Sequence, residues 1–541
     1  MRINLPLILL LSSGLIFLLF SFKRLLRYLR YFQQEEYEAK RYVYWLIKNA
    51  AYDKRGSLSL VAAYLIYIIA ADQIAAIASQ IFLFSIFIYL EQDPRKTGKT
   101  KLVMTERATR ILFLAAFVLA SVYTASLLLI AQNGAINVVC LFLIQFALIQ
   151  LTPYSLLLSN MLLSPFEKRV KGKFKQEAVD ILKKVNPYII GITGSYGKTS
   201  VKAALGEVLN NVLAPTFYPP KSINTEMGIT REIRENLKSH HRYAIIEMGA
   251  YNVGSIKKLC AFTPPNAGIV TVVGMAHLER FGSRERVYQA KSELAQAVPS
   301  EGILVCNGDD PGARRMGEEH PKTKTLFYGM QEDKGCLDCF AHEVDYSPKG
   351  TSFKLDWQGN TYACAIRLLG RPALSNLLGV FTMACALGAD PQFVIAALRN
   401  IEPVDNRLSF SREGSVSFLR DAYNSNPEGF AAALDVMNKL TGKRKILMTP
   451  GMIELGDMQY EENMKAAENA AKVCDTIIVV GKTNRDAFLQ GLANLNFPKE
   501  SMYTPDTREE AFNKLNSLLQ EEDIVLIEND LPDIYEMVER F

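Results

Sequence analysis

Cysteine is scarce in this chain: there are eight among 541 residues, at positions 140, 260, 306, 336, 339, 364, 385 and 474. That is too sparse for a disulfide scaffold, and reduced thiols in a cytosolic part are expected. Charge is thin as well, at 22% of residues against 49% hydrophobic, which excludes a disordered chain and points to a membrane part averaged with a soluble one. A strong excess of one sign is also missing, since 61 Lys and Arg against 56 Asp and Glu leave a net charge of +5. This gives no footing for a nucleic-acid partner, because much of the excess sits in short segments beside apolar runs. There is no internal repeat, and no low-complexity segment beyond those runs. At roughly 100–200 residues per domain, the length implies three or four domains.

Three apolar blocks open the chain. Residues 5–22 (LPLILLLSSGLIFLLFSF) carry no charge over about the length that crosses a ~30 Å hydrocarbon core. The KRLLRYLR that follows is not a signal-peptide cleavage site. Residues 57–90, interrupted by Asp72 and Gln73, suit two short spans joined by a tight turn, with Asp72 a turn residue rather than an intramembrane acid. Residues 111–158 break at Asn133-Gly134 and also suit a helical hairpin. The reading is a membrane region over 1–160 with five spans, then a linker helix over 161–187. Three basic clusters follow the blocks: Lys23, Arg24, Arg27 and Arg30; Arg95, Lys96, Lys99 and Lys101; and Lys168, Arg169, Lys171, Lys173 and Lys175. Placed on the cytosolic side, they put the N-terminus outside and everything after about residue 160 inside. The basic-aromatic stretch 23–55, with Trp45, suits an interfacial amphipathic helix.

From Tyr188 the texture changes to strand, glycine-rich turn and helix, YIIGITGSYGKTSVKAALGEVL. Backbone amides of Gly194-Ser195-Tyr196-Gly197 can wrap a polyphosphate, Lys198 can reach its terminal phosphates and Thr199, followed by Ser200, can ligate Mg²⁺. Ile192 stands where the longer Walker pattern has glycine, so this is the shorter G-x-x-G-K-T form. YAIIEMGA reads as a strand ending in Glu247, a carboxylate placed for a metal ion. GIVTVVGMAHLERFGS runs a second buried strand into His277, and QAKSELAQAV puts Lys291 on a helix start.

These stretches, with SINTEMGI, CNGDDP, LLGRPALSN, NRLSF, DAYNSNP and GMIELGD in that order, resemble the Mur ligase family, the ATP-dependent amide-forming ligases of cell-wall peptide synthesis, and within it the D-alanyl-D-alanine-adding branch. The resemblance implies that Lys198 and Thr199 engage ATP and a first Mg²⁺, that Glu247 and His277 hold a second, and that Lys291 is carbamylated and becomes another oxygen ligand. It implies nucleotide contacts from Asn307 and Asn376, and closure over ATP by Arg407, Asp421 and Asn424. Pro372 and Ala373 stand where His-Asn is common, and Asn406 where glycine precedes the arginine. Only about thirty residues separate the last span from the ATPase strand, too few for the family's UDP-sugar domain. Where the D-alanyl-D-alanine adder has Lys-Gly-Ser-Arg, this chain has IENDLPDIYEMVERF, so that Glu528 and Asp530 would repel a substrate carboxylate.

The expected fold is thus a membrane α-helical region followed by α/β: a P-loop central domain over 188–403 with a β-rich insert near 340–369, and a Rossmann-like C-terminal domain over 404–541, hinged near Glu402-Pro403. One C-x-x-C, Cys336 and Cys339, has no second pair, and zinc there would need Cys364 and His342 brought close. The function expected is a membrane-bound ATP-dependent carboxylate–amine ligase acting through an acyl phosphate on a peptide or lipid-linked cell-envelope precursor. A poly-γ-glutamate synthase-like ligase, a ligase of the UDP-linked tripeptide and a nucleotide-binding scaffold without ligase activity are the alternatives.

Overall fold

Leu5–Gln34 forms one helix, α1, so the charged KRLLRYLR continues the apolar run without a break. The computed structural model describes residues 5–97, 100–132, 137–274, 281–321, 323–331, 337–402, 408–421, 425–453 and 455–529, and these fall into two units that divide at Lys171–Gly172.

In the first unit α1 is followed by α2 (Ala39–Lys48), α3 (Lys54–Ala70), α4 (Gln73–Leu90), α5 (Glu106–Gln132) and α6 (Val138–Val185), the last continuing into the second unit. Four of these, α1, α4, α5 and α6, are long and apolar enough to cross a membrane, by length and composition alone. The expected fifth span, α3, has 17 residues, and at 1.5 Å per residue it falls short of a ~30 Å core unless the bilayer thins. Asp72 caps α4, its Oδ1 accepting from the Ile74 amide at 2.8 Å, so it is the turn residue expected. The Asn133-Gly134 turn lies outside the described residues. Instead of a separate linker helix over 161–187, α6 runs unbroken for 48 residues through Pro153 and Pro165.

The basic flank after the first apolar run differs from expectation. Arg24, Arg27 and Arg30 are buried rather than open. Arg24 Nε lies 2.5 Å from Asp53 Oδ2 and its Nη1 2.9 Å from Glu91 Oε1, which ties α1 to the starts and ends of α3 and α4. Gly56 makes this approach possible, because a Cβ there would stand 2.8 Å from the Phe20 ring. The amphipathic element of this stretch is the short α2, whose Trp45 stacks on Tyr31 with centroids 4.2 Å apart. Deeper in the unit Ser13, Gln80, Tyr123 and Gln145, one from each long apolar helix, form a buried polar seam: Ser13 donates to Gln80 at 2.6 Å, and Gln145 to Ser13 at 3.3 Å and to Tyr123 at 3.2 Å.

The second unit holds two sheets. In the first, β1 (Tyr188–Thr193), β2 (Thr216–Phe217), β3 (Tyr243–Glu247), β4 (Ala267–Val270), β5 (Ile303–Asn307), β6 (Lys324–Gly329), β7 (Cys339–Ser347), β8 (Gly350–Trp357) and β9 (Asn360–Ile366) take the order β2-β3-β1-β4-β5-β6-β7-β8-β9. Pairing is parallel as far as β7, then antiparallel through the β7–β9 insert. The parallel strands are near-continuous apolar runs buried on both faces, as helix-covered strands must be. Chain direction across the sheet reverses at β1, flanked by β3 and β4, and ligands gather at the carboxyl ends of strands at such a switch point. The second sheet, β10 (Ser409–Glu413), β11 (Val416–Asp421), β12 (Lys445–Thr449), β13 (Thr476–Val479), β14 (Met502–Tyr503) and β15 (Ile524–Glu528), has the order β10-β11-β15-β12-β13-β14 and is parallel except for β10. The doubly wound α/β reading of both domains holds.

Candidate active site

The glycine-rich turn leaves β1 and opens α7 (Lys198–Val212). Gly197 caps the helix at φ +82, left-handed backbone that favours glycine, and a Cβ there would collide with the Asn376 side-chain amide. A Cβ on Gly194 would collide with Thr271 Oγ1. Lys198 folds over the turn, its Nζ donating to the carbonyls of Gly194 at 2.7 Å and Ser195 at 3.2 Å. One expected donor is already committed: the Ser195 amide bonds the Val272 carbonyl at 2.6 Å, so the cradle rests on the other amides of the turn and the start of α7.

Glu247 ends β3, in register with Ile192 of β1, and is 1% exposed. Its Oε2 lies 3.0 Å from Thr199 Oγ1 and 3.2 Å from Lys202 Nζ, and its Oε1 accepts from Asn224 Nδ2 at 3.1 Å. Thr199 Oγ1 is also 3.2 Å from Ser222 Oγ. Thr199, Ser222 and Glu247 thus bring together oxygen donors of the kind that a hard divalent cation prefers. Among the described residues no three His, Cys, Asp or Glu side chains gather into a metal-sized group. His277, expected beside Glu247, lies outside the described residues.

Lys291 sits midway along the helix Arg284–Ala297, buried rather than at the helix start. Burial, with the nearby charge of Lys198, holds its amine well below the usual lysine range, favouring the neutral form.

A cleft of about 1150 Å³ opens over the phosphate turn, lined by Tyr196, Lys198, Thr199, Ser200 and Glu247 on one side and by Asp421, Ser425 and Glu428 of the second sheet's domain on the other. Ligand pockets commonly measure ~300–1,000 Å³, so a nucleotide and a second substrate can share this one. Asn307 and Asn376 both line it, the first also 3.4 Å from Ser375 Oγ. Asp421 accepts from the Leu408 amide at 3.3 Å. Arg407, Asn424 and Asp530 lie outside the described residues. Burial, then the charge of Asp310, raises the carboxyl of Glu428, a cleft residue that the sequence reading passed over.

Glu528 corrects an expectation. It is fully buried, in register with Asp421 on the adjacent strand, and its Oε1 accepts from Ser425 Oγ at 2.6 Å while Oε2 has no hydrogen-bond partner among the described residues. Burial and then the Asp421 charge push its carboxyl well above the usual carboxylate range. It is no exposed acid that repels a substrate. Cys339 and Cys364 are buried thiols on β7 and β9, His342 lies 3.3 Å from Asp356, and Cys336 lies outside the described residues.

Besides Glu428, three residues on the metal side had no role in the sequence reading: Lys202, Ser222 and Asn224. The last two lie inside SINTEMGI, and Lys202 is the one charged residue on the buried face of α7, which was the available signal.

Residues 192–384 match the Mur ligase middle domain, and residues 406–528 match the Mur ligase glutamate ligase domain. The UDP-N-acetylmuramoyl-tripeptide–D-alanyl-D-alanine ligase of Mycobacterium tuberculosis is 33% identical over 310 residues, 55% of this chain and 59% of that protein. That of Bacillus subtilis is 28% identical over 339 residues, 61% of this chain and 70% of its own length. The MurF ligase of Thermotoga maritima in complex with ADP superposes with a TM-score of 0.59 at 25% identity, covering 68% of this chain and 81% of the other. The chain spans 59% of the length of the mycobacterial relative, and residues 1–191 lie outside both family domains. With both of these domains following one another around one cleft, the chain belongs to the Mur ligase family.

Proposed function

We propose that this protein is a membrane-bound ATP-dependent carboxylate–amine ligase of cell-wall or cell-surface peptide synthesis. The observation that carries the reading is the meeting of a phosphate turn and the Thr199–Ser222–Glu247 oxygen set in one cleft at the carboxyl ends of β1 and β3. A substrate carboxylate oxygen attacks the γ-phosphorus of ATP, the bond to the β-phosphate oxygen breaks, and ADP and an acyl phosphate result. An amine then attacks the acyl carbon; the C–N bond forms, phosphate leaves and the nitrogen loses a proton. Turn amides and the N-terminus of α7 hold the phosphates, with Asn307 and Asn376 on the nucleotide side. Lys198 exchanges its loop carbonyls for the terminal phosphate, where charge is redistributed during transfer. Thr199, Ser222 and Glu247 would hold Mg²⁺, which when bound neutralises phosphate charge. As a neutral amine, Lys291 can add to CO₂ and lose a proton to give a carbamate, an oxygen anion that offsets Lys198 and, with His277, extends the metal site. Arg407, Asp421 and Asn424 would close the cleft from the other domain.

The exposed apolar side chains of the first unit, including Leu11, Phe82, Phe113 and Phe117, would face lipid. We keep α3 as a span despite its length, because without it the Lys23–Arg30 cluster would lie across the bilayer from Arg95–Lys101. The N-terminus is then outside and the ligase cytoplasmic. Since α6 ends at Val185 and β1 starts at Tyr188, no uridine-holding domain lies between the spans and the ATPase, and a lipid-linked precursor is the favoured substrate. The names of the relatives support a second reading, a UDP-linked tripeptide joined to D-Ala-D-Ala. The test is ATP-dependent amide formation by the full chain in detergent. ADP, phosphate and amide should appear in equal amounts, and ATP hydrolysis that never yields amide with either substrate class would refute the ligase reading.

A further inference from the structure

The inward face of α7 is apolar through Val201, Ala204, Leu205, Val208 and Leu209, and Lys202 interrupts it at 1% exposure. It lies one turn beyond Lys198, which bonds the opposite way, to its own loop. Lys202 Nζ is 3.2 Å from Glu247 Oε2 and donates to the carbonyl of Lys221. Lys221 has φ +52, a left-handed conformation uncommon for a lysine, so this carbonyl is presented at some cost in backbone strain. The same segment, residues 218–225, brings Ser222 to Thr199 and Asn224 to Glu247 Oε1. A buried ammonium needs its charge and donors satisfied, and both of Lys202's partners belong to the metal-side wall of the site.

We propose that Lys202 is a positioning residue: it latches segment 218–225 to α7 and orients the Glu247 carboxylate, so that Ser222 and Asn224 stand in place before nucleotide and metal arrive. Its catalytic consequence rests on the ligase reading, whereas the latch is a property of the nucleotide-free chain.

Trypsin cleaves after lysine, and Lys221 is exposed, so native-state cleavage at Lys221 in the full detergent-solubilised chain, followed by mass spectrometry, reads the latch directly. Cleavage should be slow in the wild type, about ten-fold faster in Lys202→Met and close to wild type in Lys202→Arg. Should Lys202→Met fail to fold, Lys202→Gln removes the charge and keeps a donor. In amide formation the neutral variants should lose about 100-fold in kcat with little change in the KM for ATP, since the phosphate turn is untouched, and Lys202→Arg should restore most of it. Unchanged cleavage at Lys221 in the neutral variants, or faster cleavage that arginine does not reverse, would overturn the proposal. If no form of the protein ligates, the ligase reading fails alone and the cleavage pattern still decides the latch.

Discussion

Lys198 lines the cleft while Lys202 and Lys291 are buried, and their surroundings assign the three lysines different tasks. Lys198 lies over the phosphate turn, so Lys198→Ala should cut ATP turnover by about 100-fold or more while the melting temperature stays near wild type. Unchanged turnover would show that the turn does not hold the reacting phosphates. Lys291 is pushed toward its neutral amine, the form that takes up CO₂. Lys291→Ala should lose activity, formate or acetate should restore part of it, and the wild type should weaken in CO₂-depleted buffer. A high-resolution map of the fully active, metal-loaded enzyme with a bare ammonium at Lys291 would refute this. Glu528 gives a pH prediction. Its folded-state value lies above its unfolded one, so the stability it contributes is present below the ordinary carboxylate value of 4.5 and is lost as pH rises toward the raised one. Glu528→Gln keeps an acceptor for Ser425 and removes that titration. Its melting temperature should exceed wild type by a margin that widens from pH 5 to 8, and a margin that narrows would reverse the sign assigned here.

At the scale of elements, what could be read was local. The strand, glycine turn and helix around Lys198 follow one another in sequence, and the β7–β9 insert was placed within a few residues. What could not be read depends on long-range pairing. IVLIE reads as a strand end, but only its alignment beside Asp421 turns Glu528 from a surface acid into a buried one. Arg24 and Arg27 read as a cytosolic flank because the acids that pair with them, Asp53 and Glu91, arrive from the ends of two other helices. Ser222 and Asn224 acquire a role only where their segment crosses α7. The α3–α4 hairpin carries the topology prediction. Cysteine placed at Lys48 and at Lys349 should be labelled only from inside; labelling of residue 48 from the external face, with residue 349 still inside, would remove α3 as a span and reverse the N-terminus.

For the whole molecule, the choice between substrates follows from tethering rather than from any one pocket. A ligase held at the bilayer meets a lipid-linked acceptor at a high effective concentration, while a soluble UDP-linked tripeptide gains nothing from the spans. Ligation rates with lipid-linked precursors should therefore exceed those with the UDP-linked tripeptide plus D-Ala-D-Ala, and efficient use of the latter would establish the second reading instead. The polar seam of the first unit bears on a different matter, the making of the protein. In the proposed membrane-bound protein, Ser13 would enter the bilayer during synthesis long before its partner Gln145, 132 residues later, has left the ribosome. Until then Ser13 and Gln80 have only each other, and Tyr123 lacks its donor. Insertion can proceed helix by helix, but closure of the bundle must wait for α6. Chains that terminate after α5 would carry unmatched polar groups into hydrocarbon at about 1–2 kcal/mol each, marking unfinished copies for quality-control proteolysis.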